Sequence, residues 1–382
     1  MWLVPLSPLL DACHLQSIKV WAFAANALAA FVSPLLFGGM ADRSGSPVPV
    51  LRWLSLAAMV AAASAGLAIK FHCNAWLILA LIQANALCSA PGFSLISSIV
   101  FARLENPQSE FGPLRAMATV GWMVGCWSVS AFHADGSILS VYLAAAASLS
   151  VCICASLVPA RKTPPLGGHP SWQARLGLDA LRLLKNPDHR VVFIIVAAYN
   201  IPLAGFYPYA PPHLQALGFT HTSAWMTLSQ TTEVLAMFAL GGLLIRWRLK
   251  WIFAGALALG VLRLVLCALP FKLCVLAGIT LHGASFALVY ITAQIYVDQR
   301  VEPGWRARAQ ALLNLMYNGV GCLIGYLACG WWFAACSRSA GISWSIFWTG
   351  LAVVMAGVLL YFLTAYQGLK ARNKQPEKTK RG

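Results

Sequence analysis

Two charged residues lie in the middle of long apolar stretches of the sequence, Glu233 and Arg263. A charged side chain at the centre of a bilayer costs about 2.5 to 3.5 kcal/mol or more on insertion scales, so it needs a partner or a task. Every other acidic residue lies in a polar break or at the boundary of an apolar stretch. Glu233 and Arg263 are therefore the first candidates for chemistry inside a membrane.

The position of Glu233 favours proton transfer. Gln230 precedes it by three residues, so both side chains share one face of a helix. Burial disfavours the charged form of a carboxylate, and a carboxyl group that faces a cavity can hold a proton near neutral pH. We therefore interpret Glu233 as a proton carrier. A structural ion pair between Glu233 and Arg263 is the alternative, and the two interpretations are compatible.

Two further sets of side chains could bind a polar aromatic solute. Arg115, Thr119 and Trp122 follow a spacing of four and three, which places a forked donor, a hydroxyl and a stacking surface on one helix face. His282, Phe286 and Tyr290 follow a spacing of four and form an aromatic stripe. The alternatives are a boundary arginine beside a lipid-facing tryptophan, and a stripe that serves only packing.

The composition requires membrane-spanning helices to carry these residues. Of the 382 residues, 59% are hydrophobic and 10% are charged, whereas soluble domains carry about 25% charged residues. A helix crosses a bilayer with about 20 apolar residues, and such runs recur at 18–41, 51–69, 75–101, 117–132, 138–159, 191–214, 223–245, 251–269, 273–297, 309–333 and 344–366. Residues 1–10 are apolar but only about half a crossing long. We therefore expect an all-α membrane protein with twelve crossings, or eleven and a truncated first helix.

Charge distribution sets the expected orientation. The chain has 27 Lys and Arg against 11 Asp and Glu, a net charge of +16. If residues 1–10 end outside, nearly all basic residues fall in breaks on one side of the membrane, and the opposite side holds Lys19, Lys70, Lys272 and Arg338. The positive-inside rule then places the C-terminus in the cytoplasm. This asymmetry argues against nucleic acid as the partner.

The longest break divides the crossings into six and six. Residues 160–190 contain Pro164, Pro165, Gly167, Gly168 and Pro170, followed by a basic amphipathic stretch from Trp172 to Leu184 that we expect on the inner membrane surface. We predict an N-terminal six-helix half at 1–159, a cytoplasmic loop at 160–190, a C-terminal half at 191–366 and a basic cytoplasmic tail at 367–382. Several prolines between Asn200 and Pro212 predict a kink or break in the seventh crossing.

The break after the second crossing, Gly39 to Gly45, reads GMADRSG. It resembles the GxxADRxG loop signature of the major facilitator superfamily, whose two six-helix halves rock around a midplane site. By that resemblance, Gly39, Asp42 and Arg43 form a gating motif. Asp42 would lie at a helix terminus, and Arg43 would pair across the cytoplasmic interface.

Four more segments resemble the bacterial nucleoside–proton symporters of this superfamily. They are Arg115–Trp122 (RAMATVGW), Ser229–Glu233 (SQTTE), Leu262–Arg263 (LR) and Arg306–Leu312 (RARAQAL). The resemblance covers nearly the whole chain with order and spacing kept. It implies a substrate site lined by Arg115, Thr119, Trp122, Tyr207, Gln230, Glu233, His282 and Phe286. Glu233 and Arg263 would couple transport to protons.

This chain departs from the family at four positions. Ala204 and Tyr207 stand approximately where the family has a polar Gln and Asn in the seventh crossing. His282 stands where the family has a tyrosine, and Ser97 where it has an asparagine. The Arg115 segment and the Leu281–Gly283 helix start also resemble phenylpropionate-type permeases. Those would read an aromatic carboxylate with Arg115 or Arg263.

We therefore expect proton-coupled uptake of a nucleoside or similar small polar aromatic solute by alternating access. One alternative is a proton-coupled permease for an aromatic carboxylate or sugar. Another is a non-transporting sensor or decayed permease. No phosphate loop, catalytic carboxylate pair or nucleophile motif is present, so we do not expect an enzyme. We expect a monomer in the cell inner membrane whose partners are lipid, substrate and protons, with no metal or cofactor.

Overall fold

The computed structural model of the protein describes residues 2–44, 46–101, 103–104, 107–159, 173, 178–338 and 341–368. Before the central segment, the helices are α1 Leu3–Ala12, α2 Gln16–Ser44, α3 Pro47–Lys70, α4 Ala75–Ser89, α5 Gly92–Phe101, α6 Pro107–Ala131 and α7 Leu139–Leu157. We call this the N-terminal part of the chain.

After the central segment, a 3-10 helix at Leu178–Lys185 leads into α8 Pro187–Leu203, α9 Phe206–Ala216, α10 Thr222–Met226, α11 Leu228–Arg246, α12 Leu249–Ala268 and α13 Lys272–Arg300. A 3-10 turn at Pro303–Trp305 precedes α14 Arg306–Asn314, a π-helix Leu315–Gly321, α15 Cys322–Cys336, the strands β1 Ser337–Arg338 and β2 Gly341–Ile342, and α16 Trp344–Ala365. The strands pair antiparallel, with Ser337 opposite Ile342. We call this the C-terminal part.

Polar caps followed by proline mark several helix starts. The Ser46 side chain accepts a hydrogen bond from the Val48 amide before α3, which begins at a proline. The Asn186 side chain accepts from the Asp188 and His189 amides before α8, which also begins at a proline. A cap satisfies amides that have no partner inside the helix, and proline loses nothing at this position.

Within the described part of the chain, eight segments are long and apolar enough to cross a membrane. They are Pro47–Lys70, Ala75–Val100, Leu139–Leu157, Pro187–Ala216, Leu249–Ala268, Lys272–Arg300, Arg308–Cys336 and Trp344–Ala365. Each overlaps a run predicted from the sequence. The predicted all-α membrane class is confirmed.

The predicted break in the seventh crossing lies between α8 and α9. The helix ends at Leu203, one residue after Pro202, and resumes at Phe206. Gly205 occupies the joint, where an added Cβ would lie 2.9 Å from a methyl group of Leu351. Proline cannot donate the helical hydrogen bond, and the tight packing leaves no room for a side chain. The break turns the aromatic residues after Gly205 towards the middle of the molecule.

Small residues allow close helix packing, as their spacing in the eleventh crossing predicts. A Cβ added at Gly321 would lie 2.5 Å from the Ala197 carbonyl oxygen of α8, and one at Gly325 would lie 2.6 Å from the Ala204 Cβ. Helix backbones approach this closely in membranes only where side chains are absent. The contact holds α15 against the broken seventh crossing.

Candidate functional site

The start of α11 carries the predicted polar pair. Gln230 is 4% exposed and Glu233 is 9% exposed, so both are buried. The Ser229 hydroxyl lies 2.8 Å from the Gln230 side-chain oxygen and donates to it. This bond leaves the Gln230 amide nitrogen to act as a donor elsewhere.

Helix α13 packs directly on this segment at Gly283. A Cβ added there would overlap the Ser229 carbonyl and lie 2.7 Å from the Glu233 amide nitrogen. The Thr232 hydroxyl strengthens the contact by hydrogen bonding to the Thr280 carbonyl oxygen. The structure therefore places Gln230 and Glu233 beside the aromatic stripe of α13, which the sequence could only assign to a separate helix.

The aromatic stripe forms a column of nearly parallel rings. Phe206 stacks on His282 with ring centroids 3.6 Å apart and an angle of 10° between the planes. His282 and Phe286 are 6.3 Å apart at 7°, and Phe286 and Tyr290 are 6.1 Å apart at 18°. The spacing of four residues on α13 sets the last two distances. The column offers flat apolar faces of the kind that stack on a heteroaromatic ring.

Tyr207 and Trp122 close one side of the column. Tyr207 packs edge-on against His282, with centroids 6.1 Å apart, and its hydroxyl lies close to the Gln230 side chain. Trp122 of α6 packs against Tyr207 at 6.3 Å. The site is therefore built from both the N-terminal and the C-terminal part of the chain. Six predicted residues are brought together: Trp122, Tyr207, Gln230, Glu233, His282 and Phe286.

Two aromatic residues of the site escaped prediction. Phe206 is fully buried and stacks on His282. Tyr317 lies in the π-helix, 6.0 Å from Phe286 and 4.6 Å from Tyr290. The prolines around Phe206 predicted a break in the helix, but they did not indicate which aromatic side chain the break would place in the site. Nothing in the sequence between Asn314 and Gly321 distinguishes a π-helix from an α-helix.

Arg263 is fully buried, and its guanidinium carbon lies 5.7 Å from the centre of the Phe206 ring. None of its three nitrogens hydrogen bonds to any described residue. The predicted alternative, a structural ion pair between Glu233 and Arg263, stays a prediction.

Other predicted site residues are only partly placed. Thr119 is buried on α6, one turn from Trp122. The side chain of Arg115 lies outside the described residues, as do those of Gly39, Asp42 and Arg43 at the end of α2. Most of the amphipathic stretch before Leu178 is outside the described part of the chain as well. The roles of these residues stay predictions.

One end of the molecule, which we call the Asp135 end, joins the two parts of the chain by side-chain hydrogen bonds. Asp135, after α6, accepts from the Ser223 amide at 2.8 Å and from the Thr222 hydroxyl at 3.3 Å. Ser130 accepts from the Ala224 amide at 3.0 Å and donates to Asp135 at 2.8 Å.

Aromatic contacts add to the hydrogen bonds at this end. The Trp127 indole donates to the Thr227 hydroxyl at 3.1 Å, and the rings of His133 and His221 lie 5.0 Å apart. The start of α10 has backbone amides without helical partners, and the end of α6 has such carbonyl groups, so both are available to side chains. The Asp135 end is closed.

At the opposite end, which we call the Asp298 end, the described side chains form no bond between the two parts of the chain. A cavity of about 490 Å³ is lined there, among the described residues, by Ile291, Gln294, Ile295, Asp298 and Gln310. The Asp298 carboxylate pairs with Arg306 at 3.4 Å, and the Gln310 amide donates to the Gln294 carbonyl at 2.9 Å. Both contacts stay within the C-terminal part of the chain and do not close the cavity.

Comparison with known proteins identifies relatives over the whole length. A family model described as nucleoside H+ symporter matches residues 1–370. The putative nucleoside transporter YegT of Escherichia coli K12 is 30% identical over 96% of this chain and 90% of its own length. The xanthosine permease of the same organism is 26% identical over 99% and 94%.

Solved structures of the nucleoside transporter NupG share the fold. A crystal structure of a single-residue variant superposes with a TM-score of 0.83 at 22% identity, covering 96% of this chain and 99% of the other. A second crystal structure of that transporter gives a TM-score of 0.80, also at 22% identity, with coverages of 96% and 97%.

Proposed function

The chain belongs to the nucleoside H+ symporter family, and we propose that it takes up a nucleoside together with protons through the site between α6, α9, α11 and α13. The observation that carries the proposal is the buried carboxylate of Glu233 beside Gln230, packed against a column of parallel aromatic rings. A flat base can stack on this column, and the carboxylate can hold the proton. The chain is a transporter and not an enzyme.

Residue roles follow from the contacts. His282 and Phe286 offer stacking faces, Trp122 and Tyr207 bound the site, and the Gln230 amide meets ribose or base acceptors. Thr119 and Arg115 would complete the wall on α6. Glu233 carries the proton, and Arg263 would take part in the coupling. Gly39, Asp42 and Arg43 would stabilise one gating state.

Alternating access fits the two ends of the molecule. The Asp135 end is closed by bonds between the two parts of the chain, whereas the Asp298 end opens to a cavity. We propose that the Asp298 end faces the cytoplasm, because the basic residues Arg182, Arg306 and Arg308 lie there. The described conformation then releases substrate inward.

The distribution of basic residues and the family assignment also support a more detailed arrangement of the crossings. We propose twelve crossings in two six-helix halves, 1–159 and 191–366, joined by the loop at 160–190. The C-terminal tail at 367–382 would be cytoplasmic, and the transporter would work as a monomer in the inner membrane. The family assignment favours a nucleoside over the alternatives of an aromatic carboxylate, a sugar or a non-transporting sensor.

The test is uptake of labelled uridine and adenosine by a transport-null strain that expresses the protein, with and without a collapsed proton gradient. Glu233→Gln removes the proton site while keeping the side-chain shape, so we expect accumulation to stop and gradient-independent exchange to continue. Glu302→Gln, an exposed acid outside the site, is the matched control. Gradient-driven accumulation by the Glu233→Gln variant would refute the coupling role.

A further inference from the structure

Arg263 is a buried cation whose hydrogen-bonding capacity is unused. It is 0% exposed, and its Nε, Nη1 and Nη2 atoms have no hydrogen-bond partner among the described residues. A buried polar group without a partner is costly, and a buried charge more so. The field of such a charge is not neutralised locally and extends into the neighbouring site.

Described groups around Arg263 do not supply an acceptor. The Tyr199 hydroxyl pairs with the Ser285 hydroxyl at 2.9 Å, and Ser285 donates to the Ala256 carbonyl at 2.9 Å. His282 Nδ1 and the Tyr317 hydroxyl are buried without a partner among the described residues, as Arg263 is. The charge of Arg263 acts on both of them. Among the described residues, an unpaired positive charge therefore lies behind the Phe206–His282 stack.

Charge balance decides what this site favours. Glu233 and Arg263 are the two charged side chains among the described residues of the site. When Glu233 carries a proton it is neutral, and the guanidinium is then left as the uncompensated charge. A substrate with negative charge on its base would restore neutrality in the loaded site.

We infer that Arg263 determines specificity by favouring nucleosides whose base is anionic or rich in carbonyl oxygens, such as the 2,6-dioxopurine nucleosides. The inference rests on the proposed nucleoside transport. Arg263 acts through the Phe206–His282 stack, so it is a positioning residue for the electrostatics of the site. Two unit charges about 10 Å apart at an effective dielectric of about 20 interact strongly enough to change affinity roughly tenfold.

The test is a competition measurement at constant pH. Xanthosine, whose base ionises below neutral pH, and inosine, which stays neutral, each compete with labelled uridine for uptake. We expect xanthosine to compete better in the wild type. Arg263→Gln should lower that preference about tenfold, and Arg263→Lys should keep it because the charge remains. Arg246→Gln, an exposed arginine at the end of α11, is the matched control.

A structural role for Arg263 would lower uptake of all nucleosides equally and leave the ratio unchanged, which would overturn the inference. Equal competition by xanthosine and inosine in the wild type would also overturn it. Absence of all nucleoside uptake would instead contradict the proposed function. Titration calorimetry on the purified wild type measures the ratio of the affinities for xanthosine and inosine directly. This measurement requires neither transport nor a variant that folds.

Discussion

The N-terminal and C-terminal parts of the chain contact each other differently at the two ends of the molecule. At the Asp135 end, one carboxylate and one hydroxyl from the N-terminal part bind backbone amides at the start of α10. At the Asp298 end, polar side chains bond within the C-terminal part and leave a cavity of about 490 Å³. Directed bonds therefore add to the apolar packing between the two parts at the Asp135 end, where α1 contacts α9.

This difference is suited to a gate that must open and close. A hydrogen bond to a charged group contributes about 1.5 to 3 kcal/mol, and a neutral one about 0.5 to 1.5 kcal/mol. A few such bonds sum to the roughly 5.5 kcal/mol that moves a two-state equilibrium from one extreme to the other. Substrate and proton binding can therefore shift the balance between the two ends.

The largest effect is expected where α13 packs on the start of α11. Gly283→Ala would push a methyl group into the Ser229 carbonyl, and backbone overlap of this kind costs about 3 kcal/mol or more. We expect loss of uptake and a lower melting temperature in a thermal unfolding assay. Gly357→Ala, on a helix face with open space, is the control and should be neutral or slightly stabilising. A fully active Gly283→Ala variant would show that α11 and α13 separate during transport.

Asp135→Ala removes the acceptor of three hydrogen bonds at the closed end. We expect the free energy that keeps this end closed to fall by about 3 kcal/mol. That change corresponds to roughly hundredfold faster amide exchange at Ser223. Hydrogen–deuterium exchange of the segment 221–227 measures it. Asp298→Ala, at the open end, is the control for removing an acid. Unchanged exchange at Ser223 would mean that other contacts hold the end closed.

Ser130→Ala tests the same closure more gently. It removes the hydrogen bond from the Ala224 amide and the one to Asp135. We therefore expect the free energy that keeps the end closed to fall by about 1 to 2 kcal/mol. The readout is exchange at Ala224, about tenfold faster than in the wild type. Ser148→Ala loses only a bond to Ala144 within its own helix and serves as the matched serine control. Equal effects of the two substitutions would contradict a role for Ser130 in closure.

The smallest effect is expected at the open end. The Asp298–Arg306 pair is well exposed, with 65% and 41% of the two side chains accessible, and exposed pairs contribute little. Asp298→Asn should leave amide exchange at Ser223 and Ala224 unchanged. A rise in exchange there would mean that the Asp298 end also controls closure of the Asp135 end.

Much of the site was readable from the sequence because its signals are local. The spacing of three between Gln230 and Glu233, and of four between His282 and Phe286, assigns each pair to one helix face. The prolines after Asn200 predicted the break that the structure has after Leu203. Hydropathy predicted the eight crossings that the described residues contain.

Contacts between distant helices were decided by the tertiary structure alone. The stack of Phe206 on His282 and the bonds of Asp135 to Thr222 and Ser223 join residues that no periodicity relates. Glu233 and Arg263 illustrate the same limit. Scarcity of charge indicated that both residues matter, but the direction in which α12 presents Arg263 depends on how it packs against its neighbours.

The sequence by itself therefore determined the membrane class, the crossings, the break after Leu203 and the helix faces that carry Gln230, Glu233 and His282. The tertiary structure decided which faces meet, that Arg263 lies against Phe206 without a hydrogen-bond partner among the described residues, and which end is closed. The physical reason is the separation along the chain of the residues that interact. Periodicity and capping act within one helix, whereas helix docking is fixed by close packing of residues far apart in the chain.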